Sequence, residues 1–226
     1  MAILLQEGSN LKKKVIVIGA GAAGTIAAGF ASLSGADVAL IEKKDKLCKK
    51  VRITGKGRCN ITNNCSVSDF ISNIPRNSKF LFSAINQFSP EKTIEFFQEY
   101  GLKVKTERGN RVFPVSDKAI DVVVALEKFV FENNCKIIYS RVKNLIIENE
   151  KCLGVVLDSG EKIYADSVII ACGGKSYPGT GSTGDGYILA QNAGHTITEL
   201  KPSLVPLISV ESWCRELSGL SLKNVA

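Results

Sequence analysis

The fold is decided by residues 15–24, which read VIVIGAGAAG. The β-branched apolar run of residues 15–18 is typical of a buried strand, and Gly19 ends it. The small residues that follow predict a helix over residues 22–34, stopped by a glycine, and residues 37–42 predict a second buried strand. A strand, a helix and a strand in this order form a βαβ unit, the nucleus of a doubly wound parallel sheet.

The glycines of this unit follow the spacing GxGxxG at Gly19, Gly21 and Gly24. Between a strand and a helix, this spacing is typical of dinucleotide binding. The first glycine permits the tight turn, the second lets the backbone approach a pyrophosphate, and the third allows close packing of helix on sheet. Glu42 ends the second strand, where a carboxylate can accept hydrogen bonds from a ribose diol and repel a 2′-phosphate. The alternative is an ordinary glycine-rich turn.

Composition and length narrow the class of protein. The chain has 226 residues, of which 45% are hydrophobic, and this length accommodates one or at most two domains. No apolar run reaches the roughly 18 residues that span a membrane, and the start, MAILLQEGSN, lacks the basic segment of a signal peptide, so we expect a cytoplasmic protein. Seven cysteines without framework spacing predict reduced thiols and no metal centre. Because His195 is the sole histidine, a histidine-based triad is excluded.

The net charge of +7 is concentrated in one part of the chain. Residues 12–58 carry eleven Lys or Arg and three Asp or Glu, a surplus of eight. Such a surplus is typical of contact with nucleic acid, with an acidic membrane surface or with a phosphate-bearing ligand, or of a merely solvated basic face. Its position around the glycine-rich loop favours the phosphate ligand. No aromatic residue interleaves the basic run of residues 43–58, which disfavours a nucleic-acid-binding module.

Two further segments combine glycines with polar residues. Residues 54–63 read TGKGRCNITN, in which Arg58 could pair with a phosphate and Asn60 could hydrogen-bond to a ring edge or to the backbone. Residues 171–187 read ACGGKSYPGTGSTGDGY, a strand end followed by the start of a helix, which suits close approach of backbone to a cofactor. For both segments, an ordinary surface loop is the alternative.

The remaining patterns predict a mixture of helices and strands. Helices are predicted over residues 78–88, 91–100, 117–133 with Asp117 as the cap, and 184–192. Strands are predicted over residues 103–106, 136–139, 142–148, 152–157, 161–164 and 166–171. Residues 43–64 are predicted to be a long loop with at most one helical turn, and strand-like pieces are predicted after Gly194.

Together, these segments resemble a family of bacterial flavoproteins, the BaiN-type NAD(P)/FAD-dependent oxidoreductases, which include an aminoacetone-oxidase-like branch. The resemblance is carried by VIVIGAGAAGTIAA with Glu42, ITGKGRCNITN, RVFPVSDKA, and ACGGKSYPGTGSTGDGYILAQNAGH with PSLVPL. The second and fourth of these segments are much more specific than the GxGxxG loop, which many flavoproteins share. The match covers nearly all of residues 12–226.

The resemblance implies a fold of class α/β: a glutathione-reductase-like FAD-binding Rossmann domain with a central parallel sheet and a β-meander. It implies that residues 12–200 form the FAD domain and that residues 201–226 begin an inserted, β-rich, substrate-side domain. The segment that would return to the FAD domain is expected to be missing.

The resemblance also implies which residues surround the cofactor FAD. The pyrophosphate is expected at Gly19, Gly21, Ala22, Ala23 and Gly24, and the adenosine ribose at Glu42. The FAD is further expected to be lined by Lys43, Arg58, Cys59 and Asn60, with the adenine by Val142. Ala171, Gly173 and Gly174 are expected near the cofactor, and Asp185 near the flavin or the substrate.

The function that this resemblance implies is hydride transfer through a flavin, between NAD(P)H and an unknown small organic substrate. No nucleic acid and no membrane are expected as partners, and the residues assign no catalytic acid or base and no oligomeric state. Two alternatives stay open at this point: an NAD-binding dehydrogenase without flavin, and a basic nucleic-acid-binding module.

Overall fold

A computed structural model describes residues 12–202 and 208–220 of the chain. The chain divides into two compact units, residues 1–196 and residues 197–226. All the sheets of the described residues lie in the first unit.

The helices and strands alternate over the first part of the chain, as a βαβ pattern requires. The strands of the described residues are β1 (Lys14–Ile18), β2 (Asp37–Glu42), β3 (Thr62–Asn63), β4 (Val104–Glu107), β5 (Arg111–Pro114), β6 (Lys136–Tyr139), β7 (Val142–Glu148), β8 (Lys151–Leu157), β9 (Lys162–Tyr164) and β10 (Ser167–Ile170). The helices are α1 (Ala22–Leu33), α2 (Val67–Ser72), α3 (Ser78–Gln87), α4 (Pro90–Glu99), α5 (Ala119–Glu132), α6 (Asp185–Asn192) and α7 (Trp213–Glu216). Short 3₁₀ segments cover Val51–Gly57, Arg108–Asn110 and Pro178–Thr180.

The central sheet is parallel and has four strands in the order β10-β1-β2-β6. The registers pair Ile18 with Ile41 and with Ile170, and Glu42 with Tyr139, so all four strands end at one edge of the sheet. In open parallel sheets, ligands bind at this carboxyl edge. The chain therefore brings the residues that follow the four strands to one place, although they are far apart in sequence.

The two faces of the sheet are covered by different elements, because successive residues of a strand point to opposite faces. On one face, Val17 and Leu40 pack in a cluster with α1, α4 and α5, at whose centre the Phe129 ring makes edge contacts with Phe30 and Phe96. On the other face, Ile16, Ile18 and Ile41 pack against the antiparallel meander β7-β8-β9. Both faces are buried, which explains why the strands are continuous apolar runs.

Most of the predicted elements are confirmed within one or two residues, including the βαβ unit, the meander and the helix at residues 185–192. The region of residues 62–114 contains more than was predicted. There, β3, β5 and β4 form a small antiparallel sheet. Helix α2 begins after the cap residue Ser66, where no helix was predicted. A two-residue strand and a six-residue helix are too short to produce a periodic signal.

The prediction that Asp117 caps α5 is wrong. The cap position is Lys118, and Asp117 has a positive φ of 56° and accepts hydrogen bonds from Arg58 and Lys105 instead. The strand-like pieces expected after Gly194 are also absent from residues 195–202 and 208–220, where the one regular element is α7. The remaining residues of that expectation, 203–207 and 221–226, lie outside the described part. The division into domains at residues 200 and 201 stays a prediction.

Gly24 is expected to be essential for folding, because a Cβ atom there would overlap the carbonyl oxygen of Gly19 in the backbone of the loop. We expect Gly24→Ala to lower the free energy of unfolding by about 3 kcal/mol or more, since neither backbone segment can move without separating α1 from the sheet. The control is Gly21→Ala, where a Cβ meets no described atom within 4 Å; its cost should stay below about 1 kcal/mol. Urea unfolding of both variants gives the comparison, and equal costs would contradict this account.

Candidate dinucleotide-binding site

The loop between β1 and α1 lies at the carboxyl edge of the sheet, and two hydrogen bonds hold its backbone. Gly19 has a φ of 98°, and its N–H donates to the carbonyl of Ile41 at 2.8 Å. The hydroxyl of the fully buried Thr25 donates to the carbonyl of Gly21 at 3.0 Å. Helix α1 then begins at Ala22 with no side-chain cap from the described residues and no acidic residue in its first turn. Its N-terminal N–H groups and the positive end of its dipole therefore face the space beyond the sheet.

The Glu42 carboxylate connects this loop to the end of β2. One of its oxygens accepts a hydrogen bond from the Ala20 N–H and the other from the Lys44 N–H, both at 2.8 Å. A carboxylate has about four acceptor positions, so Glu42 can receive further donors while it holds both backbone segments. The residue predicted to bind a ribose thus also fixes the shape of the loop.

A cavity of about 730 Å³ opens at this edge of the sheet. Ten of the fifteen predicted site residues line it, namely Gly19, Gly21, Ala22, Ala23, Glu42, Lys43, Val142, Ala171, Gly173 and Asp185. A shallower cleft of about 650 Å³ lies at the opposite end of β1, next to Lys14 and Asp166, and none of its lining residues is helical. Of these two, only the cavity at the carboxyl edge has the glycine loop and the helix N-terminus among its described lining residues.

Lysines make the rim of this cavity basic. Lys43, Lys46, Lys49 and Lys50 all line it. Lys49 pairs with Asp45 at 2.6 Å, and Lys50 donates to the Ser176 hydroxyl at 3.3 Å. The rim and the N-terminus of α1 together form the environment that a pyrophosphate requires.

A cluster of charged residues forms another part of the wall. The Asp185 carboxylate, in the first turn of α6, accepts hydrogen bonds from Lys43 Nζ at 3.0 Å, from the Thr183 hydroxyl at 2.7 Å and from Arg141 Nε at 3.3 Å. Burial opposes ionisation of Asp185, but the hydrogen bonds from Thr183 and Lys43 outweigh it and lower the pKa of this carboxyl. Asp185 is therefore ionised at neutral pH.

The cysteine in the wall of the cavity is a neutral thiol. Burial, with a smaller contribution from Asp185, raises the pKa of Cys172 to about 11. A thiol with this pKa is protonated at neutral pH and is a poor nucleophile. The seven cysteines include no disulfide between described residues, and no group of three or more metal-ligating side chains forms among them.

The other five predicted site residues lie outside this cavity. Gly24 packs against the loop, Gly174 lies near the Tyr187 hydroxyl, and Cys59 is buried. Asn60 donates to the carbonyls of Thr62 and Val112, both at 3.0 Å, and so holds β3 to its neighbours.

The Arg58 side chain likewise contacts other residues of this chain and does not line the cavity. Its guanidinium lies 4.2 Å from the centre of the Phe113 ring and pairs with Glu107 and Asp117, which Lys105 also contacts. The preceding segment, with positive φ at Gly55, Lys56 and Gly57, turns so that Val51 and Thr54 reach the cavity. The structure therefore gives this motif an anchoring role: Arg58 holds the end of a loop whose start lines the cavity.

Sequence reasoning missed several residues that line the cavity. They are Ala20, Lys46, Lys49, Lys50, Val51, Thr54, Ser140, Arg141, Cys172 and Ser182, among others. Arg141 could have been found, because it lies two residues after a predicted strand, and in a parallel sheet that position lies at the same edge as Glu42. Ser182 lies in the segment 171–187 that was predicted to approach a cofactor, but no pattern distinguishes it from its neighbours, since it comes to the cavity through the irregular path of residues 171–184.

The fold and site define a class: an α/β protein of the Rossmann type with a dinucleotide-sized cavity at the carboxyl edge of its parallel sheet. The family model described as the HI0933-like protein Rossmann domain matches residues 13–226, and the chain belongs to this family.

The chain is similar to two named proteins that are each about twice its length. It is 37% identical over 196 residues to a 3-dehydro-bile acid delta(4,6)-reductase of Clostridium scindens, a match that covers 86% of this chain and 47% of the relative. It is 29% identical over 209 residues to a ribosomal RNA dihydrouridine synthase of Escherichia coli, which covers 91% of this chain and 50% of that protein. The chain therefore spans about half the length of these relatives.

A solved structure has the same fold. The 3-ketosteroid-delta4-(5alpha)-dehydrogenase of Rhodococcus jostii matches with a TM-score of 0.61 at 14% identity, over 84% of this chain and 56% of that one. At this identity the likeness concerns the fold. Within the described residues, no helix is long and apolar enough to cross a membrane.

Replacing Arg58 with methionine removes its ion pairs and its stacking on Phe113, and we expect the variant to unfold at lower urea concentration at neutral pH. The hydrogen bond from Arg58 lowers the pKa of Glu107, and those from Lys105 and Arg58 lower the pKa of Asp117. Groups with lowered pKa stabilise the fold above about pH 5 and lose this effect as the pH falls. The deficit of the variant should therefore shrink in acid.

The control for this prediction is Arg111→Met. The Arg111 guanidinium lies farther from the Phe113 ring, at 5.9 Å, and forms no carboxylate pair with the described residues. A deficit for Arg58→Met that is independent of pH, or no larger than that of Arg111→Met, would contradict the anchoring role.

Proposed function

We propose that this chain binds FAD in the cavity at the carboxyl edge of its parallel sheet, and that it belongs to an FAD-dependent oxidoreductase. The observation that carries the proposal is the arrangement around the cavity. An uncapped helix N-terminus, a glycine loop and a lysine rim lie beside the Glu42 carboxylate, within a space of about 730 Å³. These are the features that a pyrophosphate joined to a ribose requires.

The residues present fit the parts of this cofactor. The N–H groups at the start of α1, with Lys46 and Lys50, would hold the pyrophosphate, and Glu42 would accept the ribose hydroxyls. Val142, at the start of the meander, would lie by the adenine. When bound, the flavin ring supplies the hydride chemistry, and the chain contributes binding, orientation and electrostatics.

The relatives' names narrow the reaction class. One is named as a delta(4,6)-reductase of a 3-dehydro-bile acid and the other as a dihydrouridine synthase, and both names describe a ring that gains hydrogen across a carbon–carbon double bond. We propose the same class for the protein that contains this chain. A hydride and a proton would add to a carbon–carbon double bond of a small organic substrate, with NAD(P)H as the electron donor.

A nucleic-acid substrate is the second candidate. It is favoured by the relative of Escherichia coli, whose name specifies ribosomal RNA, and by the basic surplus of residues 12–58. The ion pairs of the structure count against it, because Lys43, Lys49, Arg52 and Arg58 all have carboxylate partners. Paired cations contribute little to the counterion release that drives nucleic-acid binding.

The experiment that tests the proposal is denaturing release of the bound cofactor from purified protein, followed by chromatography against FAD, FMN and NAD standards. FAD is the expected result. Release of NAD alone would support a dehydrogenase without flavin and would contradict the proposal. If the purified protein has lost its cofactor, it can be incubated with FAD and passed through a gel-filtration column. The visible absorbance of the protein fraction then shows whether FAD is bound.

We expect Gly21→Val to abolish FAD binding and to leave the fold intact. Gly21 lines the cavity with φ at −79°, a conformation open to any residue, and a Cβ there meets no described atom within 4 Å. The valine branches would therefore occupy space that the pyrophosphate needs. Gly21→Ala is the matched control and should lose less affinity. Circular dichroism checks the fold, and parental FAD occupancy in the folded valine variant would place the site elsewhere.

A further inference from the structure

Three charged side chains from distant parts of the chain converge on one point of the cavity wall. Asp185 Oδ2 accepts hydrogen bonds from Lys43 Nζ and from Arg141 Nε, at 3.0 and 3.3 Å, and Asp185 Oδ1 accepts one from the Thr183 hydroxyl. The Asp185 side chain is 15% exposed and that of Lys43 is 21% exposed. All three charged residues line the cavity.

This cluster lies in the same cavity and at the same edge of the sheet as Glu42, where the ribose is expected. Lys43 directly follows Glu42, and Arg141 follows β6, the strand that pairs with β2. The N–H of Ser140, next to Arg141, donates to the Glu42 carbonyl at 2.9 Å. In Rossmann folds, the acidic residue at the end of the second strand binds the ribose 2′-hydroxyl, and a nearby cation accommodates a 2′-phosphate where one is present.

Both cations of this cluster have a carboxylate partner before any ligand enters. Lys43 and Arg141 both hydrogen-bond to the ionised carboxylate of Asp185. A 2′-phosphate would have to displace Asp185 from both cations and would still lie between two carboxylates. A neutral ribose diol requires neither change.

We propose that Asp185 determines the specificity of this site: it pairs with Lys43 and Arg141 and so withholds both cations from a ligand, and the cavity accepts a dinucleotide with a free ribose diol and rejects one with a 2′-phosphate. The inference rests on the proposed dinucleotide site and adds a residue about 160 positions away from the glycine loop. By this inference, FAD and NAD(H) can occupy the cavity and NADP(H) is excluded from it.

The test compares two ligands that differ only in the 2′-phosphate, ADP-ribose and 2′-phospho-ADP-ribose, by titration calorimetry on the whole chain after removal of bound cofactor. The parent should bind ADP-ribose more tightly. In Asp185→Asn, whose side chain has the same shape and no charge, Lys43 and Arg141 become available to the phosphate. We expect its affinity for the phosphorylated ligand to rise by about tenfold relative to ADP-ribose.

Three further variants test whether the change in affinity is due to the Asp185 charge. Asp185→Ser should give the same change and covers the case in which the asparagine variant does not fold. Adding Lys43→Gln to Asp185→Asn should remove most of the gain. Asp166→Asn is the control for net charge, because Asp166 pairs with Lys13 at the opposite end of the sheet, and it should leave the ratio of the two affinities unchanged.

The outcomes separate this inference from the proposal on which it rests. An unchanged ratio in the folded Asp185 variants, with ADP-ribose still bound by the parent, would overturn the inference and leave the dinucleotide site standing. An equal gain in Asp166→Asn would also overturn it. A parent that binds neither ligand would overturn both the inference and the dinucleotide site.

Discussion

The close contact of Gly24 with the carbonyl of Gly19 is the constraint on which the rest of the site depends. No Cβ atom fits between the first turn of α1 and the loop that precedes it. The helix can therefore lie directly on the sheet, with its N-terminus at the carboxyl edge and its N–H groups aimed past Gly21. Every other feature of the cavity is arranged around this fixed helix end: Glu42 holds the loop, the lysine rim flanks it, and the wall near α6 closes the far side.

The parallel sheet converts distance in sequence into proximity in space. Lys43, Arg141 and Ala171 each follow a strand of the same sheet, and the registers bring them to one edge. None of these positions needs a long side chain to reach the cavity, because the backbone delivers it there. Because the strand ends bring these segments together, a single unit of fewer than 200 residues can form a dinucleotide-sized cavity from short segments that are far apart in sequence.

Features of this site that depend on neighbouring residues in the sequence were predictable, and features that depend on contacts between distant residues were not. The βαβ unit and the residues at its turns were predictable, since local periodicity and glycine spacing determine them. The role of Arg58 was not, because its partners Glu107 and Asp117 are 49 and 59 positions away, and the sequence alone cannot show that a basic residue already has a carboxylate. Asp185 was predicted near the flavin or the substrate by resemblance, and its bond to Lys43 required the structure.

The pairing of charges also changes the meaning of the basic surplus. The sequence has a surplus of eight positive charges over residues 12–58, which is open to several interpretations and, by its position around the glycine loop, favours a phosphate-bearing ligand. In the structure, Arg52, Arg58 and Lys49 pair with carboxylates of the chain, and Lys43 shares Asp185 with Arg141. Lys46 and Lys50 are the cavity lysines that no carboxylate of the described residues neutralises. Two lysines and one helix dipole would match the charge of a single pyrophosphate, the group that the proposed function assigns to this cavity.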